Sequence, residues 1–116
     1  MSTDTLFPGV YVCQTPDEIA GKIVERARPN TRGVILMHLL DAQDVFHILQ
    51  ERARLQKVVK MPYLKATFEN GAEVFHASDV DKVMTMILDF AIVNDRYANN
   101  QHVQEKLFIR CNRGRR

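Results

Sequence analysis

The sequence predicts an α/β fold class: a single three-layer domain, residues 1–116, with a mainly parallel sheet of about five to six strands, a β-hairpin and three helices. Short apolar runs alternate with segments of helical periodicity, which is the order of elements in a parallel sheet. An Asn-Gly pair joins two segments of alternating polarity, the pattern of a hairpin. The 116 residues, 46% of them apolar, suffice for one domain with a substantial core.

The first predicted strand covers residues 9–13, a brief β-branched and aromatic run. Thr15 then supplies an N-cap, Pro16 stands at the first helical position, and Glu18 is placed to bond back to the cap. A helix is therefore predicted to begin here. Its apolar residues recur at the spacing of one helical face until residues 29–30 end it.

The second predicted strand, residues 34–37, is apolar without alternation, as expected for a strand covered on both faces. Asp41 is predicted to cap the next helix. The apolar residues between positions 42 and 53 recur on one face of that helix, while most charged ones fall on the other.

Alternation of polar and apolar residues marks the predicted hairpin. It covers residues 63–68 and 72–77, and Asn70-Gly71 lies in the connection between them. Asn-Gly is a strong short-range hairpin signal because its residues tolerate positive φ. We therefore expect these two segments to pair as antiparallel strands.

The last third of the chain predicts one helix and two more strands. A second capping box at residues 78–81 precedes apolar residues at helical spacing over residues 80–88, which predicts the third helix. A short apolar strand follows over residues 91–93. Residues 107–109 are predicted to form the last strand, and residues 110–116 a basic, flexible tail.

Composition and charge are those of an ordinary globular protein, with 26% charged residues and a net charge of +2. Cys13 and Cys111 lie far apart without Cys-x-x-Cys spacing, so neither a zinc site nor a disulfide framework is indicated. Residues 1–5 lack the features of a signal peptide, and no apolar run reaches the length of a membrane span. We expect a cytoplasmic protein that uses no cofactor and does not associate with membranes.

Several side chains suggest surfaces rather than chemistry. The four histidines have no spacing that places two on one helical turn, and His38 and His76 are expected at the carboxyl ends of strands. Lysines form a basic stretch between positions 57 and 65. Met86 falls off the inner stripe of the third predicted helix, where a flexible apolar side chain would suit contact with a partner.

Two motifs in the second half of the chain carry a resemblance. Residues 68–75 read Phe-Glu-Asn-Gly-Ala-Glu-Val-Phe, and residues 87–96 read Ile-Leu-Asp-Phe-Ala-Ile-Val-Asn-Asp-Arg. Their order resembles the ATPase domain of phage large terminase subunits and, more broadly, the RecA-like helicase core. In that family the second motif ends in a magnesium-binding aspartate and a catalytic glutamate. The resemblance implies a metal ligand at Asp95, but Arg96 replaces the glutamate.

The phosphate-binding loop of that family is missing from the sequence. No Gly-x-x-x-x-Gly-Lys-Ser/Thr motif occurs, and at the corresponding place Lys22 is followed by Ile23 instead of a magnesium-binding hydroxyl. Asp17 and Glu18 would also direct negative charge towards a triphosphate. The resemblance therefore implies a degenerate domain of phage or mobile-element origin, which we expect neither to bind ATP tightly nor to hydrolyse it.

Three functions stay open. The favoured one is a non-catalytic protein that binds a protein partner, either as an inhibitor of a host factor or as an accessory to a motor. The second is a metal-dependent nuclease or nucleotide hydrolase that uses Asp95 together with Asp41 or Asp79. The third is a nucleic-acid-binding module whose basic residues near the C-terminus contact phosphates. These residues are Arg110, Arg113, Arg115 and Arg116. Formation of a homo-oligomer is also left open.

Overall fold

The computed structural model describes residues 4–7, 9–83 and 87–112. The strands in this part of the chain are β1 (Asp4–Phe7), β2 (Val10–Cys13), β3 (Arg32–Leu36), β4 (Leu55–Val59), β5 (Lys65–Phe68), β6 (Glu73–Ala77) and β7 (Phe90–Asn94). The helices are α1 (Pro16–Arg26), α2 (Leu39–Arg52), α3 (Asp95–Ala98) and α4 (Gln101–Asn112), and a 3-10 turn covers Val80–Val83.

The strands form one mixed sheet in the order β1-β2-β7-β3-β6-β5-β4. Its four central strands, β2, β7, β3 and β6, are parallel. Strand β1 pairs antiparallel with β2, and β5 pairs antiparallel with both β6 and β4. The predicted α/β class is therefore confirmed, with a parallel centre and antiparallel edges. The sequence pattern did not predict β1 or β4.

Helices cover both faces of the central strands. One apolar cluster lies between the sheet and helices α1 and α2, and includes Ile19, Ile23, Val45 and Leu49. A second cluster lies on the opposite face, where α3, α4 and the 3-10 turn contribute Val80, Ala98, Val103 and Leu107. This arrangement buries apolar residues on both sides of the sheet, as a three-layer domain requires. In the described part of the chain, no helix is long and apolar enough to cross a membrane.

Strand β7 occupies the middle of the parallel sheet, between β2 and β3, and all of its residues are buried. The ring of Phe90 lies so close to Gly33 that a Cβ atom at Gly33 would stand 2.2 Å from the ring. Just before β7, the carboxylate of Asp89 accepts a hydrogen bond of 2.8 Å from the N–H of Arg32. Glycine at position 33 is thus required by close packing between neighbouring strands.

The last predicted strand is wrong, because residues 107–109 belong to helix α4. The side-chain oxygen of Asn100 accepts a hydrogen bond of 3.1 Å from the N–H of Val103, the bond that an N-cap residue makes. Val103 and Leu107, one turn apart, are buried against the sheet. Leu107 therefore lies on a buried helical face, and residue 110 continues the helix instead of beginning a tail.

The third predicted helix is replaced in part by a 3-10 turn over Val80–Val83, while residues 87–88 are not helical. Residues 84–86 of that predicted helix lie outside the described residues. The N–H of Lys82 bonds the carbonyl oxygen of Asp79 at 3.1 Å, which is the three-residue spacing of a 3-10 turn. The predicted capping segment therefore opens a tighter turn than the α-helix expected from its periodicity.

Helix α2 begins before its predicted cap. His38 occupies the N-cap position without a side-chain hydrogen bond, and Asp41 lies inside the first turn. The prediction that Asp41 caps the helix is therefore wrong, although a negative charge in the first turn still favours the helix dipole.

The predicted hairpin is confirmed by the antiparallel pairing of β5 with β6. Gly71 has φ of 95°, and its N–H bonds the carbonyl oxygen of Phe68 at 3.0 Å. The Asn70 side chain donates to the carbonyl oxygen of Ala27 at 2.8 Å and accepts from the N–H of Ala72 at 2.9 Å. These bonds hold the turn against the C-terminal end of α1.

Replacement of Gly71 by valine should lower the free energy of unfolding by about 1 kcal/mol or more, because a β-branched residue is strained at positive φ. An added Cβ would also stand 3.0 Å from the Asn30 side chain. Gly21→Ala is the matched control, since Gly21 is exposed on helix α1 and nothing lies within 4 Å of its Cβ position. That change should stabilise the protein slightly. Urea denaturation measures both, and equal stability of Gly71→Val and wild type would contradict the strained turn.

Candidate binding groove at the carboxyl end of the sheet

The N-terminus of α1, where a nucleotide-binding protein would hold phosphate, is occupied by the chain's own carboxylate. Glu18 Oε1 accepts hydrogen bonds from the N–H groups of Gln14 and Thr15, at 3.0 and 3.1 Å. The Thr15 hydroxyl in turn accepts from the N–H of Glu18 at 3.2 Å, so the predicted capping box is confirmed. Phosphate binding at a helix start uses such N–H groups. Here the Glu18 carboxylate competes with phosphate for them.

Lys22, at the place of the phosphate-loop lysine, lies within α1 and contacts the protein itself. Its Nζ is 2.8 Å from the carboxylate of Glu25 and 4.9 Å from the centre of the Tyr11 ring. The hydrogen bond from Lys22, together with its charge, lowers the pKa of Glu25. Asp17, in the first turn of the same helix, pairs with Arg52 of α2. Lys22 and Asp17 of α1 therefore pair with side chains of the protein itself.

The crevice expected at the carboxyl ends of the parallel strands is bridged by side chains. Asn94 donates to the carbonyl oxygen of Gln14 at 3.2 Å, across the ends of β7 and β2. The Tyr97 hydroxyl donates to the carbonyl oxygen of Ser78 at 3.4 Å, and its ring lies 5.8 Å from that of His38. Open α/β sheets bind ligands in this crevice. In this chain, protein contacts occupy much of it.

Asp95, the predicted metal ligand, is exposed at the first position of α3. Asn94 caps that helix by accepting from the N–H of Arg96 at 3.2 Å. Asp79, one of its two suggested partners, accepts a hydrogen bond of 3.0 Å from the N–H of Asp81. Among the described residues, no group of three or more His, Cys, Asp or Glu side chains is placed to hold a metal ion. Metal binding by Asp95 stays a prediction.

The basic residues predicted to bind nucleic acid fall at the end of the described chain. The sequence predicted that Arg110 directly follows a strand. In the structure it lies in helix α4. Arg113, Arg115 and Arg116 lie outside the described residues. The structure therefore places Arg110 near the last turn of a helix and leaves the proposed cluster as a prediction.

A groove of about 610 Å³ opens beside the carboxyl end of β6. We call it the β6 groove and define it by the side chains of Leu39, Lys60, Met61, Tyr63, Phe75 and Lys82. The loop between β4 and β5 forms one wall, while α2, β6 and the 3-10 turn supply the others. Its volume is within the range of sites that bind small ligands.

The walls of the β6 groove are tied to the sheet by hydrogen bonds. The N–H of His76 bonds the carbonyl oxygen of Leu64 at 3.0 Å, which joins the loop to β6. The His76 ring Nε2 bonds the carbonyl oxygen of Met37 at 2.7 Å, which joins β6 to the end of β3. The rings of Tyr63 and Phe75 lie 6.0 Å apart. These contacts fix the loop and the strand ends that form the groove.

Large apolar side chains are exposed in this groove. Met61 is 81% exposed, Leu39 50% and Tyr63 49%. Elsewhere among the described residues, the exposed large apolar side chains are Val24, Leu40 and Ile87. A contiguous apolar surface with a polar border marks an interaction site more often than single exposed residues do.

The polar border of the β6 groove is basic. Lys60 and Lys82 line it, and no aspartate or glutamate among the described residues does. Neither lysine forms an ion pair within the described residues. The acids that follow β6 are engaged elsewhere: Asp79 accepts from the N–H of Asp81, whose carboxylate lies 3.0 Å from His102 Nε2.

The sequence pattern did not predict this groove. The lysines at positions 57–65 form a basic stretch in the sequence. The signal that could have identified the groove is their adjacency to Met61 and Tyr63. His38 and His76 do lie at the carboxyl ends of strands, as expected. Met86, the residue suggested for partner contact, lies outside the described residues.

Comparisons with protein-family models, with curated protein sequences and with solved structures found no match. The resemblance to terminase ATPase domains therefore stays a prediction that rests on residues 68–75 and 87–96.

The protein should release no phosphate from ATP and magnesium above a buffer control, because the groups that position a triphosphate are replaced by the Glu18 cap. A steady-state phosphate-release assay on wild type and Asp95→Asn checks this expectation. Both proteins should give the same background rate. Turnover by wild type that Asp95→Asn abolishes would instead establish the hydrolase hypothesis.

Proposed function

We propose that this chain is a non-catalytic binding protein that contacts a protein partner through the β6 groove. The observation that carries the proposal is the exposure of Met61, Tyr63 and Leu39 together in one groove. Burying a large apolar side chain contributes roughly 1.5–3 kcal/mol. A few such anchors, enclosed by a partner, can supply most of the binding energy of an interface.

The preformed walls favour binding in a second way. Association costs less when fewer side chains and loops must be ordered. The hydrogen bonds from His76 to Leu64 and Met37 already hold the loop and the strand ends. Catalysis is less well supported, because the N–H groups at the start of α1 bond Glu18 and the described residues gather no metal-ligand cluster.

The nature of the partner is proposed from the sequence resemblance alone. A degenerate terminase-like domain of phage or mobile-element origin would act in the cytoplasm, either by inhibiting a host factor or as an accessory to a packaging motor. Both roles need a protein-binding surface and no ATP turnover, so the β6 groove serves either one.

The double variant Met61→Ser/Tyr63→Ala should lose the partner, because it removes two of the exposed apolar anchors. Tagged wild type and variant are compared by copurification from cells and quantitative mass spectrometry. Ile87→Ser is the matched control, since Ile87 is 72% exposed but lies outside the groove. A partner retained equally by all three proteins would show that the groove does not bind it.

The nucleic-acid hypothesis is tested by truncation after Asn112, which removes Arg113, Arg115 and Arg116 and leaves α4 in place. We expect the truncated protein to keep its partner. Filter binding to duplex DNA at two salt concentrations measures the alternative. Salt-sensitive binding that truncation abolishes would favour recognition of phosphates, with a salt slope lowered by roughly 1 for each arginine–phosphate pair removed.

A further inference from the structure

We infer that the β6 groove binds an acidic peptide segment of its partner, one that carries a bulky apolar side chain beside aspartate or glutamate. The inference rests on the proposed function and adds the chemistry of the partner. Its basis is the combination of an apolar centre, formed by Met61, Tyr63 and Phe75, with Lys60 and Lys82 on separate elements around it.

Neither Lys60 nor Lys82 lies within ion-pair distance of an acid among the described residues. Lys60 follows β4 and Lys82 lies in the 3-10 turn, and both are exposed. Two other lysines of the described chain have acidic partners: Lys22 lies 2.8 Å from Glu25, and Lys65 lies 3.3 Å from Glu73.

No carboxylate competes for these lysines among the residues that line the groove. Asp79, before the 3-10 turn, accepts from a backbone N–H group, and Asp81, within the turn, lies beside His102. His76, the remaining titratable side chain of basic type in the lining, bonds the Met37 carbonyl oxygen. An incoming carboxylate would therefore meet Lys60 and Lys82 among the described lining residues, while Asp79 and Asp81 lie next to Lys82 in the chain but do not line the groove.

The distribution of charge favours a peptide over other anionic partners. A protein interface has an apolar core and a polar rim, which is the arrangement of Tyr63 and Met61 relative to the lysines. Nucleic-acid binding depends on several cations that follow a row of phosphates, and only two lysines line this groove.

Peptide display tests the inference directly. A library of random peptides is selected on the immobilised full chain, and enriched sequences are synthesised with a fluorescent label. We expect enriched peptides to combine net negative charge with a Phe, Leu, Ile or Met residue. Their affinity, measured by fluorescence anisotropy, should fall as salt concentration rises, because charged groups at a rim are screened.

Charge reversal then identifies the lysines. The double variant Lys60→Glu/Lys82→Glu should bind the selected peptides about tenfold more weakly, since each substitution turns attraction into repulsion. Lys57→Glu is the matched control: it makes the same change on exposed edge strand β4, outside the groove lining, and should change affinity less than about twofold. Thermal melting verifies that each variant folds.

Three results would overturn the inference: enrichment of neutral or basic peptides, unchanged affinity of the folded Lys60→Glu/Lys82→Glu variant, or dimer formation through the groove in place of peptide binding. The Tyr63→Ala variant distinguishes failure of this inference from failure of the proposed function. Peptides that lose affinity on Tyr63→Ala but not on charge reversal would leave the binding function intact and remove only the preference for acids. Peptides whose affinity does not change on Tyr63→Ala would contradict both the inference and the proposed function.

Discussion

The close packing of β7 against β3 is the constraint on which the rest of the fold depends. β7 lies between β2 and β3, pairs with both, and is buried along its whole length. The ring of Phe90 lies against Gly33, where a side chain would not fit. Because β6 pairs with the other edge of β3, this packing also sets where the carboxyl end of β6 stands. The binding groove is therefore positioned by contacts in the centre of the sheet.

The carboxyl ends of the parallel strands show why the order of strands and helices does not by itself predict function. A strand followed by a helix places backbone N–H groups where phosphate can bind, and many nucleotide-binding folds use them. In this chain Glu18 accepts from those groups, while Asn94 and Tyr97 bridge the neighbouring strand ends. Capping bonds that stabilise α1 thus use the donors that a nucleotide would need. The groove proposed for partner binding lies instead at the end of β6, beyond these bridges.

Local signals predicted the elements whose contacts are local. The Thr15 capping box, the apolar run of β3 and the turn at Gly71 were all identified correctly, since each depends on residues close in sequence. The helix that includes residues 107–109 was missed because a three-residue apolar run fits a strand or a helical face equally well, and burial against the sheet decided between them. Strand β4 depends on pairing with β5, and the groove depends on a loop that tertiary contacts bring to β6. Neither leaves a periodic pattern in the sequence.

Protection of an edge strand explains the lysines in and after β4, but it does not explain Lys82. Charged residues on an edge strand discourage pairing with other sheets, and Lys57 on β4 serves this purpose. Lys60 follows the same strand and extends that protection to the exposed Met61. Lys82, however, lies in the 3-10 turn on another element and protects no strand edge. Under the proposed function, its position in the lining of the apolar groove fits recognition of a negatively charged partner, because avoidance of aggregation would not require a second cation on another element.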